Sequence, residues 1–377
     1  MKKRILLSPP NMAGTEINYI KEAFETNWIA PVGPHINAFE EEFSSYLKIQ
    51  DTAMTNSGTA AIHLALQLLN IQEGDIVLCQ SFTFVATVNP VLYQKATPVF
   101  IDSEEDTWNM SPLALEDALV ELKKQNKLPK AIIVVHLYGQ SAKMDEIMKL
   151  ANDYNIPVIE DAAEALGSEY KGRKLGTIGQ YGIFSFNGNK IITTSGGGAL
   201  VSNDSESIKK ARYLGSQAKM PKPYYYHKDI GYNYQISNLL AGIGRGQLKV
   251  LEKRVLEKQS IYHKYEKHLD NHPDVTLMPE FAETKSNRWL TTLLVEGVEP
   301  LSIVKKLEES NIEARLLWKP LHTQPLFKNA PFYKHPLTND NSVAEMLFNK
   351  GLCLPSGTDM SDEEMEYVVK KLIHALG

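Results

Sequence analysis

The strongest constraint in this chain is a rhythm between Asp51 and Asn203, where short apolar runs alternate with helical patterns. "TAMT" leads into "NSGTAAIHLALQLLN", whose apolar residues recur at helical spacing. "IVLCQ", "TPVFID", "AIIVVH" and "IPVIEDAA" read as further strands, with "SPLALEDALVELKKQ" and "KMDEIMKLANDY" as helices between them. Parallel strands need a long crossover, usually a helix. The alternation therefore predicts an α/β fold, a mostly parallel sheet flanked by helices on both faces. In such sheets ligands gather beyond the carboxyl ends of the strands, so the residues just after each strand are the ones to inspect.

The rhythm weakens after Asp204. A long helical region carrying "LKVLEKRVLEKQSIYHKYEKHL" ends near the proline of "NHPD". Beyond it, "RWLTTLLVE", "PLSIVKKLEESN", "IEARLLW" and a final helix "DEEMEYVVKKLIHAL" predict a smaller α/β unit. At 377 residues two domains are expected. The division falls around residues 245–275, giving a large domain over 1–250 and a small C-terminal domain over 251–377. The first 30 or so residues read as an irregular arm packing across both parts.

Hydrophobic residues at 43% and charged residues at 23% are those of a soluble globular protein. A net charge of −5 gives no support for nucleic acid or an anionic membrane as partner, while leaving room for a local anion pocket. Cys79 and Cys353 have no ligand-like spacing and read as reduced, buried thiols of a cytoplasmic protein. The start, "MKKRILLSPPNMAG", has too short an apolar run, Ile5 to Leu7, for a signal-peptide core, and no later run spans a bilayer. His268 and His272 sit four apart, a spacing that can bind metal on a helix, but without a third ligand nearby they read as a solvated face.

Three strand ends carry polar residues that could do chemistry. After "TAMT" come Asn56, Ser57, Gly58 and Thr59 at a helix start. This is either an anion seat favoured by free N–H groups and the helix dipole, or a simple cap. Asp161 closes "IPVIE" and needs a partner if buried; it could face a protonated ring nitrogen or cap the next segment. Glu164 either shares that cavity or completes a capping box. Lys190 lies in "FSFNGNKIITTSGGG", preceded by Ser185 and Asn187. It is either a surface lysine on a glycine turn or a Schiff-base nucleophile. The order of anion seat, strand-end aspartate and loop lysine is the order expected of a fold that binds pyridoxal 5'-phosphate. In that reading the glycines are thin backbone beside a planar cofactor.

The chain resembles the sugar aminotransferase family, also called DegT/DnrJ/EryC1/StrS, within the fold-type I pyridoxal-phosphate enzymes. The resemblance covers nearly the whole sequence. It is carried by "GPHINAFEEEFSSYL", "NSGTAAIHLAL", "SFTFVATVNPVL", "IEDAAEALGSEYKGRKLGTIG", "FSFNGNKIITTSGGGALVSND", "GYNYQISNLLAGIG" and "LLWKPLHTQP", among other blocks. It implies an aspartate-aminotransferase-like fold in which Lys190 joins the cofactor aldehyde and shuttles protons. Asp161 would hold the pyridine nitrogen protonated, and Glu164, where many members have glutamine, would contact the ring hydroxyl. Phe84 would stack on the ring, where other members place tryptophan. Ser57, Gly58, Thr59 and Ser185 would bind the phosphate. Asn233 would reach the phosphate of a neighbouring subunit's cofactor, which implies a homodimer with shared sites. Gln235 stands where many members have arginine, an uncharged amide in place of a cation two residues after Asn233.

The same resemblance points to members that move the amino group of L-glutamate to a UDP-4-keto-6-deoxy-N-acetylhexosamine for bacterial surface glycans. It implies substrate contacts from Asn27, Trp28, Trp318, Lys319 and His322, whose other reading is core aromatics and a surface lysine. Another nucleotide keto sugar (dTDP or GDP, C-3 or C-4) or a keto-cyclitol is the alternative acceptor. A cofactor-binding regulator without catalysis is the alternative from another class.

Overall fold

The computed structural model describes residues 4–338 and 342–377; Met1–Lys3 of the basic start lie outside them. Eight strands form the main sheet: β1 (Asp51–Thr55), β2 (Ile76–Gln80), β3 (Thr97–Ile101), β4 (Ala131–Val135), β5 (Val158–Asp161), β8 (Tyr181–Ser185), β9 (Gly198–Ser202) and β14 (Phe332–Tyr333). Their spatial order is β1-β9-β8-β5-β4-β2-β3-β14. Every neighbouring pair from β8 to β14 is parallel, and β9 runs against both β1 and β8. The carboxyl ends of β1, β2, β4, β5 and β8 therefore open on one edge of the sheet.

Side chains alternate across a strand, so a sheet covered on both faces needs apolar residues at odd and even positions. Val77, Cys79, Ala131, Ile133, Ile159 and Ile183 enter one core with Ile62, Leu64 and Leu66 of the Gly58–Leu68 helix. Leu78, Ile132, Val134, Val158 and Phe184 enter the other with Phe39 and Phe43 of the Pro34–Leu47 helix. Cys79 and Cys353 are free and buried.

A second sheet of four antiparallel strands has the order β10 (Val275–Leu277), β12 (Thr291–Val295), β15 (Gly351–Leu354) and β13 (Arg315–Leu316). Its core joins Leu293, Val295, Leu352 and Leu354 to Ile303 and Leu307 of the Pro300–Glu309 helix and to Val368 and Leu372 of the last helix. A small third sheet combines β11 (Thr284–Lys285), β6 (Glu169–Tyr170) and β7 (Arg173–Lys174).

The chain crosses the expected 250/251 division in both directions. Ile5 bridges to Ile312 and enters the second core, while β14 adds to the main sheet beyond β3. The region read as one long helix is two, Asn238–Leu248 and Leu251–Leu269, interrupted at Lys249–Val250, where Val250 leaves helical dihedrals (φ −107°, ψ 5°). The irregular N-terminal arm contains a helix, Glu16–Glu25. It can pack closely on Asn238–Leu248 because Gly246 has no Cβ: one added there would stand 3.0 Å from the Glu16 backbone. Among the described residues no helix is long and apolar enough to cross a membrane.

Candidate active site

A cavity of about 450 Å³ opens at the carboxyl edge of the main sheet. Ser57, Gly58, Thr59, Phe84, Asp161, Glu164, Ser185, Lys190 and Trp318 all line it, although they are spread over 260 positions of sequence. A larger, open depression of about 710 Å³ lies at Glu40, Asp51 and Arg212 and contains none of them.

The Ser57 hydroxyl accepts the Ala60 N–H at 3.1 Å, so Ser57 is a helix cap, and the helix starts at Gly58 on the cavity wall. The first N–H groups of a helix have no acceptor inside it, and the dipole favours an anion in front of them. The cap is observed, and it is compatible with an anion seat at the same helix start. The glycine run serves protein packing: a Cβ on Gly198 would fall 2.4 Å from the Ser57 carbonyl carbon, and one on Gly197 2.3 Å from Thr194 Oγ1. Gly196 and Gly197 also line the cavity.

Asp161 ends β5 and is 5% exposed. Its Oδ2 accepts the Thr87 hydroxyl at 2.7 Å and its Oδ1 the Ala163 N–H at 3.2 Å. Burial pushes its carboxyl above the usual range, opposed by those two donors and by Lys190. On the other face, Glu160 accepts the N–H groups of Gly176 and Gly179 and pairs with His136 at 2.9 Å, which anchors the strand end. Glu164 is not followed by a helix, so no capping box forms. Its Oε2 accepts the Tyr138 N–H at 2.8 Å, and its Oε1 lies 3.5 Å from Lys190 Nζ. Burial raises its carboxyl too, with Lys190 opposing and Asp161 adding.

Lys190 lies in the loop after β8, its side chain 13% exposed. Its ammonium sits 4.1 Å from the centroid of the Trp289 ring, a cation–π contact worth about 0.5–2 kcal/mol. The lysine is aimed into the cavity and is no surface decoration. Phe84 is half exposed at the cavity and tilts against Trp318, centroids 5.2 Å apart. Trp318 stacks in turn on Tyr138, and its indole N–H is buried without an acceptor among the described residues.

Several expected residues lie outside this cavity. Asn233 is exposed, and only its carbonyl approaches, accepting the Asn56 amide at 3.1 Å. Gln235 bridges to Thr55 through the backbone. Asn27 and Trp28 are exposed on the turn after the Glu16–Glu25 helix, and Lys319 is exposed. His322 does not line the cavity either; its ring stacks on Phe332 at 3.7 Å and bonds the Ser81 hydroxyl at 2.7 Å. The Leu251–Leu269 helix ends before His272, which removes the helical i, i+4 geometry with His268.

Among the lining residues not anticipated, three bear on the chemistry. Thr87 sits three positions after Phe84 on a short 3₁₀ turn, a spacing visible in "SFTFVAT". Trp289 and Arg315 come from the second sheet's strands or their approaches, and no local pattern ties them to Lys190. The donor set fits pyridoxal phosphate: a helix N-terminus with hydroxyls for the phosphate, a buried carboxylate, an amine, and an aromatic wall.

Comparison with known proteins agrees. The profile of the DegT/DnrJ/EryC1/StrS aminotransferase family matches residues 10–373. The chain is 59% identical over 375 residues to a Bacillus subtilis (strain 168) protein named "Putative pyridoxal phosphate-dependent aminotransferase EpsN", covering 99% of this chain and 96% of that one. It is 36% identical to GDP-perosamine synthase of Escherichia coli O157:H7, covering 98% of each. Among solved structures, Helicobacter pylori PseC, an aminotransferase involved in the biosynthesis of pseudoaminic acid, superposes with a TM-score of 0.90 at 25% identity, covering 99% of each chain.

Proposed function

The chain belongs to the DegT/DnrJ/EryC1/StrS aminotransferase family, and on that premise we propose that it is a pyridoxal-phosphate-dependent aminotransferase moving the amino group of L-glutamate to a nucleotide-linked 4-keto-6-deoxy sugar. The observation that carries the reading is the meeting of Lys190, Asp161 and the Gly58 helix start in one cavity.

Bound there, pyridoxal phosphate supplies an electron sink that acidifies the carbon next to an amine. The protein's residues do the rest. The Gly58 and Thr59 N–H groups, with the Ser57 and Ser185 hydroxyls, hold the phosphate and fix the depth of binding. Asp161 keeps the ring nitrogen protonated through a charge-assisted hydrogen bond. The two donors on its oxygens favour the ionised carboxylate, against burial, which pushes it toward the protonated form. Lys190 would hold the cofactor at its aldehyde carbon and, once an amino donor has taken its place, its free amine would serve as the base that takes the proton from the donor's α-carbon and, in the separate second half of the reaction, as the acid that delivers a proton to the acceptor's carbon. Glu164 would contact the ring hydroxyl, and its position 3.5 Å from Lys190 Nζ would also let it exchange a proton with that amine. Phe84 and Trp318 form an apolar wall that excludes water from one side.

Two acceptor readings follow. A UDP-linked N-acetyl sugar is the first, on the blocks around Trp28, Asn187 and Trp318. A GDP-linked sugar is the second, favoured by the likeness to GDP-perosamine synthase. Arg315, which lines the cavity and pairs with Glu313 at 2.6 Å, would be a cation for a diphosphate or a donor carboxylate. Exposed Asn233 is assigned to the neighbouring copy's cavity in a homodimer with shared sites.

The test is to convert the purified protein to its amino form with glutamate, followed by absorbance, and then offer UDP-, GDP- and dTDP-linked 3- and 4-keto sugars. Turnover of one class, with product stereochemistry read by NMR, identifies the acceptor. Lys190→Ala lowers turnover by at least ~10³-fold. Near wild-type turnover by that variant rules out Lys190 as the reacting amine. Bound cofactor whose absorbance glutamate leaves unchanged indicates a non-catalytic binding protein.

A further inference from the structure

Lys258 holds a position that belongs to apolar residues. The buried face of the Leu251–Leu269 helix runs through Leu251, Val255, Lys258, Ile261, Tyr265 and Leu269, and Lys258 is 3% exposed. A buried ammonium costs several kcal/mol unless its hydrogens are matched by acceptors. Here three acceptors face it, the charged form donating to all of them and the neutral amine to two: the Ser356 carbonyl at 2.6 Å, the Trp289 carbonyl at 2.9 Å and the Ser8 hydroxyl at 3.1 Å.

Those acceptors lie on three segments remote in sequence: the N-terminal arm, the approach to β12 and the stretch after β15. Two of them converge again. The Trp289 indole N–H donates to the Asn189 carbonyl at 2.7 Å, and the Ser8 hydroxyl donates to the same oxygen at 3.1 Å. That carbonyl belongs to the peptide unit entering Lys190, whose amine lies on the face of the Trp289 ring. Two short paths thus run from Lys258 to the backbone of Lys190, and one also reaches its amine.

We propose that Lys258 is a positioning residue for Lys190: by fixing Trp289 and Ser8 it fixes the Asn189 carbonyl and keeps the Lys190 amine on the indole face beside Glu164. This rests on Lys190 being the reacting amine. An apolar side chain would fill the same core position at lower electrostatic cost, and what it could not do is tie these three segments together. Lys258 touches neither the cavity nor the groups that react, so its effect travels only through Trp289 and Ser8.

The experiment compares full-length wild type, Lys258→Met and Ser8→Ala, the last removing one link at a partly exposed position. The first readout is the rate of Lys190 acetylation in cofactor-free protein, mapped by mass spectrometry. Lys258→Met is expected to raise that rate about 3–10-fold as the amine leaves the indole face, and Ser8→Ala to raise it less. The second is the glutamate half-reaction of the loaded enzyme. Lys258→Met lowers its maximal rate about 10–100-fold while the half-saturating glutamate concentration stays within about threefold. Acetylation within about 1.5-fold of wild type in both variants, with circular dichroism unchanged, overturns the proposal. If Lys258→Met does not fold, Ser8→Ala decides by the same limits. If wild type fails to react with glutamate, the proposed function falls while the acetylation comparison still judges the positioning.

Discussion

Thr87→Val deletes one hydroxyl and leaves side-chain volume nearly unchanged, so it isolates the bond that holds Asp161. The Thr87 hydroxyl donates to Asp161 Oδ2 at 2.7 Å in a buried setting, and Thr83 Oγ1 stands 3.0 Å behind it. A hydrogen bond to a charged group contributes about 1.5–3 kcal/mol, and one to the neutral acid about 0.5–1.5 kcal/mol. The folded carboxyl is already held above its ordinary range by burial, so the folded chain keeps this proton to a higher pH than the unfolded chain. Losing Thr87 pushes it further the same way. The stability deficit of Thr87→Val is therefore fully present once Asp161 ionises and shrinks as pH falls and the folded carboxyl takes up its proton. Urea unfolding of cofactor-free protein is expected to show a deficit of about 1.5–3 kcal/mol at pH 8 and at most about 1 kcal/mol at pH 4.5. Thr83→Val, one step removed, costs about 0.5–1.5 kcal/mol with little pH dependence. Equal deficits of Thr87→Val at the two pH values, or none at pH 8, refute the claim that Thr87 supports the ionised carboxylate.

Two further outcomes follow from buried charge. Glu164→Gln keeps an acceptor for the Tyr138 N–H and removes a carboxyl that burial pushes upward. Since a raised folded acid loses stability as pH climbs above its unfolded value, the variant should melt a few degrees higher than wild type at pH 8, the gap closing toward pH 4.5. Burial draws the Lys258 ammonium down to about 7, with Asp359 opposing from beyond β15 and Arg254 adding from the preceding turn of its own helix. Between that value and about 10.5 the unfolded chain holds a proton that the folded chain lacks, so this group's contribution to stability rises with pH. Melting curves at pH 7, 8.5 and 10 should show Lys258→Met losing ground to wild type as pH increases; a constant difference contradicts the titration.

The residues at strand ends were legible because two periodicities meet there. An apolar run of strand length stops at Asp161, and the parallel order puts that stop on the same edge as the Ser57 cap and the Lys190 loop. Trp289 could not be read this way. A tryptophan before a strand is normally core, and its place under Lys190 depends on how the second sheet docks across the cavity. Asn27, Trp28 and Lys319 were expected near substrate from the motif blocks that contain them, but nearness in sequence does not say which way a turn faces, and all three are exposed outside this cavity. The Glu16–Glu25 helix reads in the sequence as part of an irregular arm, and its packing partner, a glycine-lined helix, comes over 200 positions later.

The late strand β14 has a consequence for synthesis. It pairs Phe332 with Phe100 and Tyr333 with Ile101, covering the outer side of β3. A chain leaving the ribosome completes β3 long before Phe332 exists, and at ordinary elongation rates the wait is roughly 10–50 s. Through that interval the "TPVFI" strand is a bare edge, open to pairing with another nascent chain. Pro98, which offers no N–H to a ladder, sits in that strand and blunts the edge. The same delay holds back Ser356, the last acceptor of Lys258 to be made, so the proposed brace on the Lys190 loop is complete only after that residue has been synthesised.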